Sequence, residues 1–248
     1  GVIPLIGYTH ENVCFLGYLN SYGKGITPEE VEQEFYDLLD PLIDKSADEK
    51  PALLPRYREA PDPRVKELMK KNLSRHPYRD KLRIQVVPIV KAFDKEIDLI
   101  RWIWSMIHHC RTNFIGVWNI DYDIPSITER IRAAGVEPAD IFCHPDLPPH
   151  LRQSQYEYDK MTAEKANAHI SDYWHWFHVP GYSQFYDAMA LYARLRKIEA
   201  KLPYYALDFV LKREGYAGKP TGGGHGTDWD KKMVNTQLMR YSQDCAET

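Results

Sequence analysis

Apolar residues near the start of the chain fall in two short runs, Val2 to Tyr8 and Val13 to Tyr18, with Thr9-His10-Glu11-Asn12 between them. Two such runs around a polar turn predict a β-hairpin over residues 2–18. A glycine-containing loop, Tyr22 to Ile26, follows. At Thr27-Pro28-Glu29-Glu30 the grammar changes. Thr27 can cap a helix, Pro28 suits its first position, and Glu30 closes a capping box. Val31, Phe35, Leu38, Leu39 and Leu42 then recur at helical spacing. Further on, Ile84 to Val90 predicts a strand. Asp94 to His109 predicts an amphipathic helix with Ile97, Ile100, Ile103, Trp104 and Ile107 on one face. Asn113 to Trp118 predicts a buried strand, and Ser126 to Ala134 a helix stopped by Gly135. Helices are also predicted for Phe185 to Glu199, Tyr205 to Arg213 and Lys231 to Thr248, the last after a flexible Gly222 to Gly226 loop. This succession indicates an α/β fold.

Two stretches interrupt the pattern. Residues 44–83 read as an insertion. Its first half is irregular, and Arg64 to Arg83 is strongly basic, either a solvated helix or a phosphate-tracking surface. Residues 142–182 read as an irregular aromatic insertion containing Trp174, Trp176 and Phe177. With 248 residues the chain is read as a single domain spanning 1–248.

Composition narrows the classes. The net charge of -3 argues against a tail-driven nucleic-acid binder, though not against a local basic groove. A mean hydropathy of -0.52 and the lack of a long apolar run exclude a membrane-spanning expectation. The four cysteines, Cys14, Cys110, Cys143 and Cys245, form no C-x-x-C pair, so a zinc knuckle is not expected and a reducing cytosol is. His108-His109-Cys110 offers no zinc site, because adjacent helical side chains diverge. The glycine loop at 222–226 lacks the Lys-Ser or Lys-Thr of a phosphate-binding loop. No G-x-S-x-G pattern is present.

The sharpest element is Gly116-Val117-Trp118-Asn119-Ile120-Asp121-Tyr122-Asp123-Ile124-Pro125. An apolar strand runs straight into Asn, an aromatic and carboxylates, and a helix follows. Carboxylates at such a junction suit a hard cation, or they cap and turn the chain before Pro125.

This segment, with Arg130 after it, resembles the second exonuclease motif of family-B DNA polymerases. Phe93 to Ile100 resembles the helix those enzymes place before it. Phe185-Tyr186-Asp187-Ala188-Met189 with Leu191-Tyr192, and then Leu202 to Val210, resembles the segment between their second and third motifs. Tyr241 to Thr248 looks like the third motif, and the phage branch is nearest. The resemblance covers about Phe93 to Thr248.

It implies an RNase H-like (DnaQ-like) α/β fold, a mixed sheet flanked by helices. It implies a 3′→5′ exonuclease that proofreads during DNA replication, hydrolysing single-stranded DNA 3′ ends with two Mg²⁺ or Mn²⁺ ions. Asp123 and Asp244 would be catalytic metal ligands, with Tyr241 orienting water. Asn119, Tyr122, Tyr204 and Tyr205 would bind substrate. A polymerase domain in the same or a partner chain is the implied partner, no membrane is, and the cytoplasm, the host's if phage-encoded, is the implied location. Two features depart from the family pattern. Tyr241 stands three positions before Asp244 rather than four. The first motif, Asp-x-Glu on a central strand, is expected upstream of Gly1. The single Asp-x-Glu present, Asp94-Lys95-Glu96, opens a helix, where capping is its expected role. Two other readings stay open: a non-catalytic RNase H-like nucleic-acid-binding or scaffolding module, and a stand-alone DEDD-superfamily exonuclease or RNase.

Overall fold

The computed structural model describes residues 2–10, 13–39, 87–159, 169–196 and 202–213. The 44–83 insertion, the 222–226 loop and the expected C-terminal helix lie outside them. The chain divides into two compact units: the described residues up to Cys110 belong to the first, and those from Arg111 onward to the second. Both are mixed α/β.

The first unit is built on a three-stranded sheet. β1 (Leu5–His10) pairs antiparallel with β2 (Val13–Leu19), from Leu5 opposite Tyr18 to His10 opposite Val13. This is the expected hairpin, with Thr9 and His10 drawn into the strand. After a short helix α1 (Asn20–Gly23), the chain turns through Lys24 and Gly25, both at positive φ, into α2 (Pro28–Leu39). The capping box forms: Thr27 N–H donates to Glu30 Oε2 at 2.8 Å, and Glu30 N–H donates to Thr27 Oγ1 at 3.2 Å. β3 (Val87–Phe93) then lies parallel to β2, Val13 opposite Val87. α3 (Glu96–Cys110) follows.

β2 is central, and all seven of its residues are buried. A strand paired on both edges and covered on both faces must be apolar throughout, as Val-Cys-Phe-Leu-Gly-Tyr-Leu is. One face packs Leu16 and Tyr18 with Val90, Ile26 and Val31. The buried Tyr18 hydroxyl donates to the Ile26 carbonyl at 2.6 Å, so its polar end is satisfied. The other face meets α3. A Cβ at Gly17 would lie 3.2 Å from Leu99 and 3.3 Å from Phe93, so glycine there lets the helix sit close. The β3 edge is closed at Val90, whose N–H donates to Glu32 Oε1 at 2.9 Å. The outer edge of β1 has no strand partner among the described residues.

Asp94 and Glu96 act as ties here. Asp94 Oδ1 accepts from the Asn20 amide at 2.7 Å, and Glu96 Oε1 accepts from Ile3 N–H at 2.6 Å. They anchor β1 and α1 to the start of α3.

In the second unit, β4 (Phe114–Val117) leads into α4 (Ile120–Ala133). A short α5 (Pro138–Phe142) follows, then a small antiparallel ribbon of β5 (Gln155–Glu157) and β6 (Trp176–His178). β7 (Gln184–Asp187) pairs parallel with β4, and α6 (Ala188–Arg196) and α7 (Leu207–Arg213) complete the unit. Phe142, Phe177 and Phe185 meet edge to face at 5.0 Å centroid spacings, joining α5, β6 and β7.

Three expectations are corrected. α4 begins at Ile120, not Ser126, and carries Pro125 inside it. Pro125 is in the second turn, so it removes the i→i−4 bond to the Asp121 carbonyl, a cost that burial of the helix must offset. Ile120, Ile124, Ile127 and Ile131 form the buried stripe that holds the longer helix. Second, Phe185 to Asp187 is strand rather than helix, because inward Phe185 and Asp187 alternate with Gln184 and Tyr186 against β4. Third, β4 is not a fully buried strand. Ile115 is buried, whereas Phe114 is 64% exposed.

Gly135 ends α4 as expected. At φ +74 it lets its own N–H reach the Arg132 carbonyl at 2.9 Å and Val136 N–H reach Ile131 at 3.2 Å, a Schellman closure.

Candidate functional site

The chemistry-bearing segment sits where β4 ends and α4 begins. In open α/β sheets the carboxyl ends of parallel strands are where ligands bind, because helix N-termini gather there and loops leave room. Asn119 occupies the N-cap position, and its carbonyl accepts the N–H groups of Tyr122 at 3.0 Å and Asp123 at 2.8 Å. Its side chain makes no capping bond and is turned to solvent. Asp121 is exposed and Asp123 half-buried, both in the first helical turn. There a negative charge is favoured by the helix dipole. Tyr122 is 67% exposed.

Trp118 anchors this junction from below. Its indole N–H donates to the Tyr205 carbonyl at 3.0 Å, and its ring lies 5.7 Å from that of Tyr192. Both belong to the packing around Ala193, Leu202, Tyr205 and Val210.

Beside Val117, across the β4–β7 pair, stands Asp187. It is only 2% exposed. Its carboxylate accepts Ala190 N–H at 2.8 Å, capping α6, and accepts the backbone N–H of His175. Burial pushes its carboxyl above the usual range. The Ala190 bond and nearby His175 oppose that rise, and Asp121 adds to it. His175 is itself buried, and its Nδ1 accepts Asp159 N–H at 3.3 Å. The Tyr158 ring stacks on this imidazole at 4.8 Å, and the rings of Tyr156 and Tyr173 lie near-parallel to it at 6.2 and 6.3 Å. The Tyr156 hydroxyl is buried without a hydrogen-bond partner. Burial pushes it well up, and the negative charges of Asp121 and Asp187 push it further. Asp187, Tyr156 and His175 thus converge from β7, β5 and the turn before β6.

The two paired tyrosines part company. Tyr204 is 55% exposed and rests on Phe209 at 4.2 Å. Tyr205 points into the core, and its hydroxyl accepts Leu202 N–H at 3.2 Å. Its ring, hydroxyl and carbonyl are engaged internally, by the packing around Leu202 and Val210, by Leu202 N–H and by the Trp118 indole. Tyr241 and Asp244 lie outside the described residues. Among the described residues no group of three or more His, Cys, Asp or Glu side chains is gathered to hold a metal ion. Asp123 offers the hard oxygen donor that Mg²⁺ or Mn²⁺ takes. No helix among the described residues is long and apolar enough to cross a membrane.

Asp187, His175, Tyr156 and Tyr158 were not singled out from sequence as site residues. Asp187 does carry a sequence signal: a carboxylate directly after an apolar-aromatic strand and before a helix, the same grammar as Asn119 to Asp123. The others are brought in by the β5–β6 ribbon, which has no strong local signature.

No protein-family model matches the chain, and no curated protein matches it.

Proposed function

We propose that this chain is a 3′→5′ exonuclease of RNase H-like (DnaQ-like) fold, the proofreading module of a family-B DNA polymerase of phage type, acting on single-stranded DNA 3′ ends. The observation that supports this reading best is the junction of β4 and α4, where Asn119, Tyr122 and Asp123 stand at the end of a strand parallel to β7. These residue types match the demands of the reaction. A carboxylate is needed for a hard cation, an amide for the sugar–phosphate chain, and an aromatic ring for a frayed base.

Asp123, together with Asp244, would hold the divalent ions. When bound, such ions lower the pKa of an attacking water and stabilise the leaving 3′ oxygen. Asn119 has an uncommitted amide that can bond a phosphate or sugar oxygen. Tyr122 and Tyr204, both exposed, supply stacking faces. Tyr241 would orient water. The module would work in the cytoplasm, the host's if phage-encoded, alongside a polymerase domain.

The test is cleavage of a 5′-labelled oligonucleotide by the protein in its full open reading frame, with Mg²⁺ or with EDTA. Metal-dependent shortening from the 3′ end is expected. Asp123→Ala should reduce the rate roughly a hundredfold or more, since loss of one ligand disturbs both ions. Metal-independent activity, or an unaffected Asp123→Ala variant, would overturn the nuclease reading. Retained DNA binding without cleavage would favour a non-catalytic module.

A further inference from the structure

We propose that Tyr158 is a nucleobase-stacking residue beside the start of α4, its ring held in place by His175 and Asp187. The nature of the ligand rests on the nuclease reading above. The placement of the ring does not.

Tyr158 directly follows β5, and its side chain is 46% exposed. The ring lies 4.8 Å from the His175 imidazole at an interplanar angle of 21°. One face is therefore backed by a buried residue while much of the ring meets solvent. The backing is itself fixed on three sides. His175 Nδ1 accepts Asp159 N–H, its backbone N–H is held by Asp187, and the rings of Tyr156 and Tyr173 flank it near-parallel at 6.2 and 6.3 Å. Asp187 is in turn fixed by Ala190 N–H. An aromatic ring immobilised from behind has already lost the freedom that binding would otherwise cost.

The location follows from strand pairing. Asp187, which holds the backbone N–H of His175, stands opposite Val117 across the β4–β7 pair, and from Val117 the chain runs through Asn119 into α4. The ring that rests on His175 is therefore tied to the strand end that leads to Asn119, Tyr122 and Asp123.

The neighbouring charges select what lies on the ring. Asp159 adjoins Tyr158 in the chain, and its negative charge does not favour a phosphate there. A neutral, planar base face suits the position. Stacking of this kind is tolerant of base identity, as a nuclease without sequence preference requires.

The experiment uses fluorescence anisotropy in EDTA, so that no cleavage occurs. The probes are 5′-fluorescein-labelled oligothymidylates, intact or with a single abasic residue at one of the 3′-terminal positions. The protein is compared with Tyr158→Ala and Tyr158→Phe, both at an exposed site and checked by circular dichroism. One abasic position should weaken binding to the unmodified protein about tenfold. Tyr158→Ala should weaken binding of the intact probe by about the same factor and abolish that abasic penalty. Tyr158→Phe should keep both. An abasic profile unchanged by Tyr158→Ala, or no binding by the unmodified protein, would overturn the proposal. Metal-dependent cleavage with a Tyr158-insensitive profile would overturn the stacking role while leaving the nuclease reading intact. The expected profile without cleavage in the full open reading frame would do the reverse.

Discussion

Replacing Trp118 by phenylalanine tests how the functional junction is held. The indole N–H donates to the carbonyl of Tyr205 at 3.0 Å, and Tyr205 is only 6% exposed. Phenylalanine cannot donate, so a carbonyl in a buried residue is left without this partner, at about 1–3 kcal/mol. The smaller ring also withdraws contact from Tyr192 and the packing around Leu202, Tyr205 and Val210, adding roughly 1 kcal/mol. A total near 2–4 kcal/mol should lower the urea midpoint by about 1 M. Far-UV circular dichroism reads the midpoint, and amide exchange over residues 202–213 should quicken. Tyr205→Phe is the control. It removes the hydroxyl that accepts Leu202 N–H but leaves the carbonyl–indole bond, so it should cost about 1 kcal/mol. A Trp118→Phe loss below about 0.5 kcal/mol, with exchange unchanged, would refute the claim that this bond fixes the strand end.

Two further outcomes are expected. Gly135→Ala should destabilise by about 1 kcal/mol and lower the melting temperature by roughly 2–4 °C, because φ is +74 and nothing crowds the new methyl, so the cost is backbone strain alone; Gly135→Asn should recover part of it. For Asp187, burial raises the carboxyl in the folded chain above its unfolded value, so its contribution to stability is full below about pH 3.9 and is lost as pH rises through the raised value. Asp187→Asn, which cannot ionise, should therefore compare less favourably with the unmodified protein in urea melts at pH 4 than at pH 7, and the opposite trend would show that the Ala190 and His175 amides outweigh burial.

Legibility from sequence follows the range of the interaction. The Thr27–Glu30 capping box and the Gly135 stop rest on side-chain and backbone bonds within a few residues, and both form as read. The sequence places the start of α4 too late because Pro125 is a strong local break signal, and the isoleucine stripe that overrides it acts through burial. Phe185 to Asp187 looks helical beside Ala188 to Arg196, and becomes strand only because β4 lies alongside. At the candidate site, Asn119, Tyr122 and Asp123 are read together because they are neighbours in the chain. Asp187, His175, Tyr156 and Tyr158 meet only after a parallel crossover and a ribbon closure, neither of which leaves a periodic trace. Tyr204 and Tyr205 could not be told apart as neighbours, and packing on Phe209 and Leu202 separates them.

The central position of β2 carries a consequence for the order of folding. Its pairing with β1 is local and can form within about 1–10 μs. Its pairing with β3 joins Val13 to Val87 and must wait for a long loop to close. Between these events a hairpin exists whose inner strand, Val-Cys-Phe-Leu-Gly-Tyr-Leu, has no charge and one unpaired edge. A seven-residue apolar segment in that condition is suited to pairing with a second chain as readily as with its own β3. The strand that most securely holds the finished unit is therefore its most hazardous segment during synthesis. Yield on refolding should fall with protein concentration for that reason, and a charge on β2 could relieve it only by breaking the core.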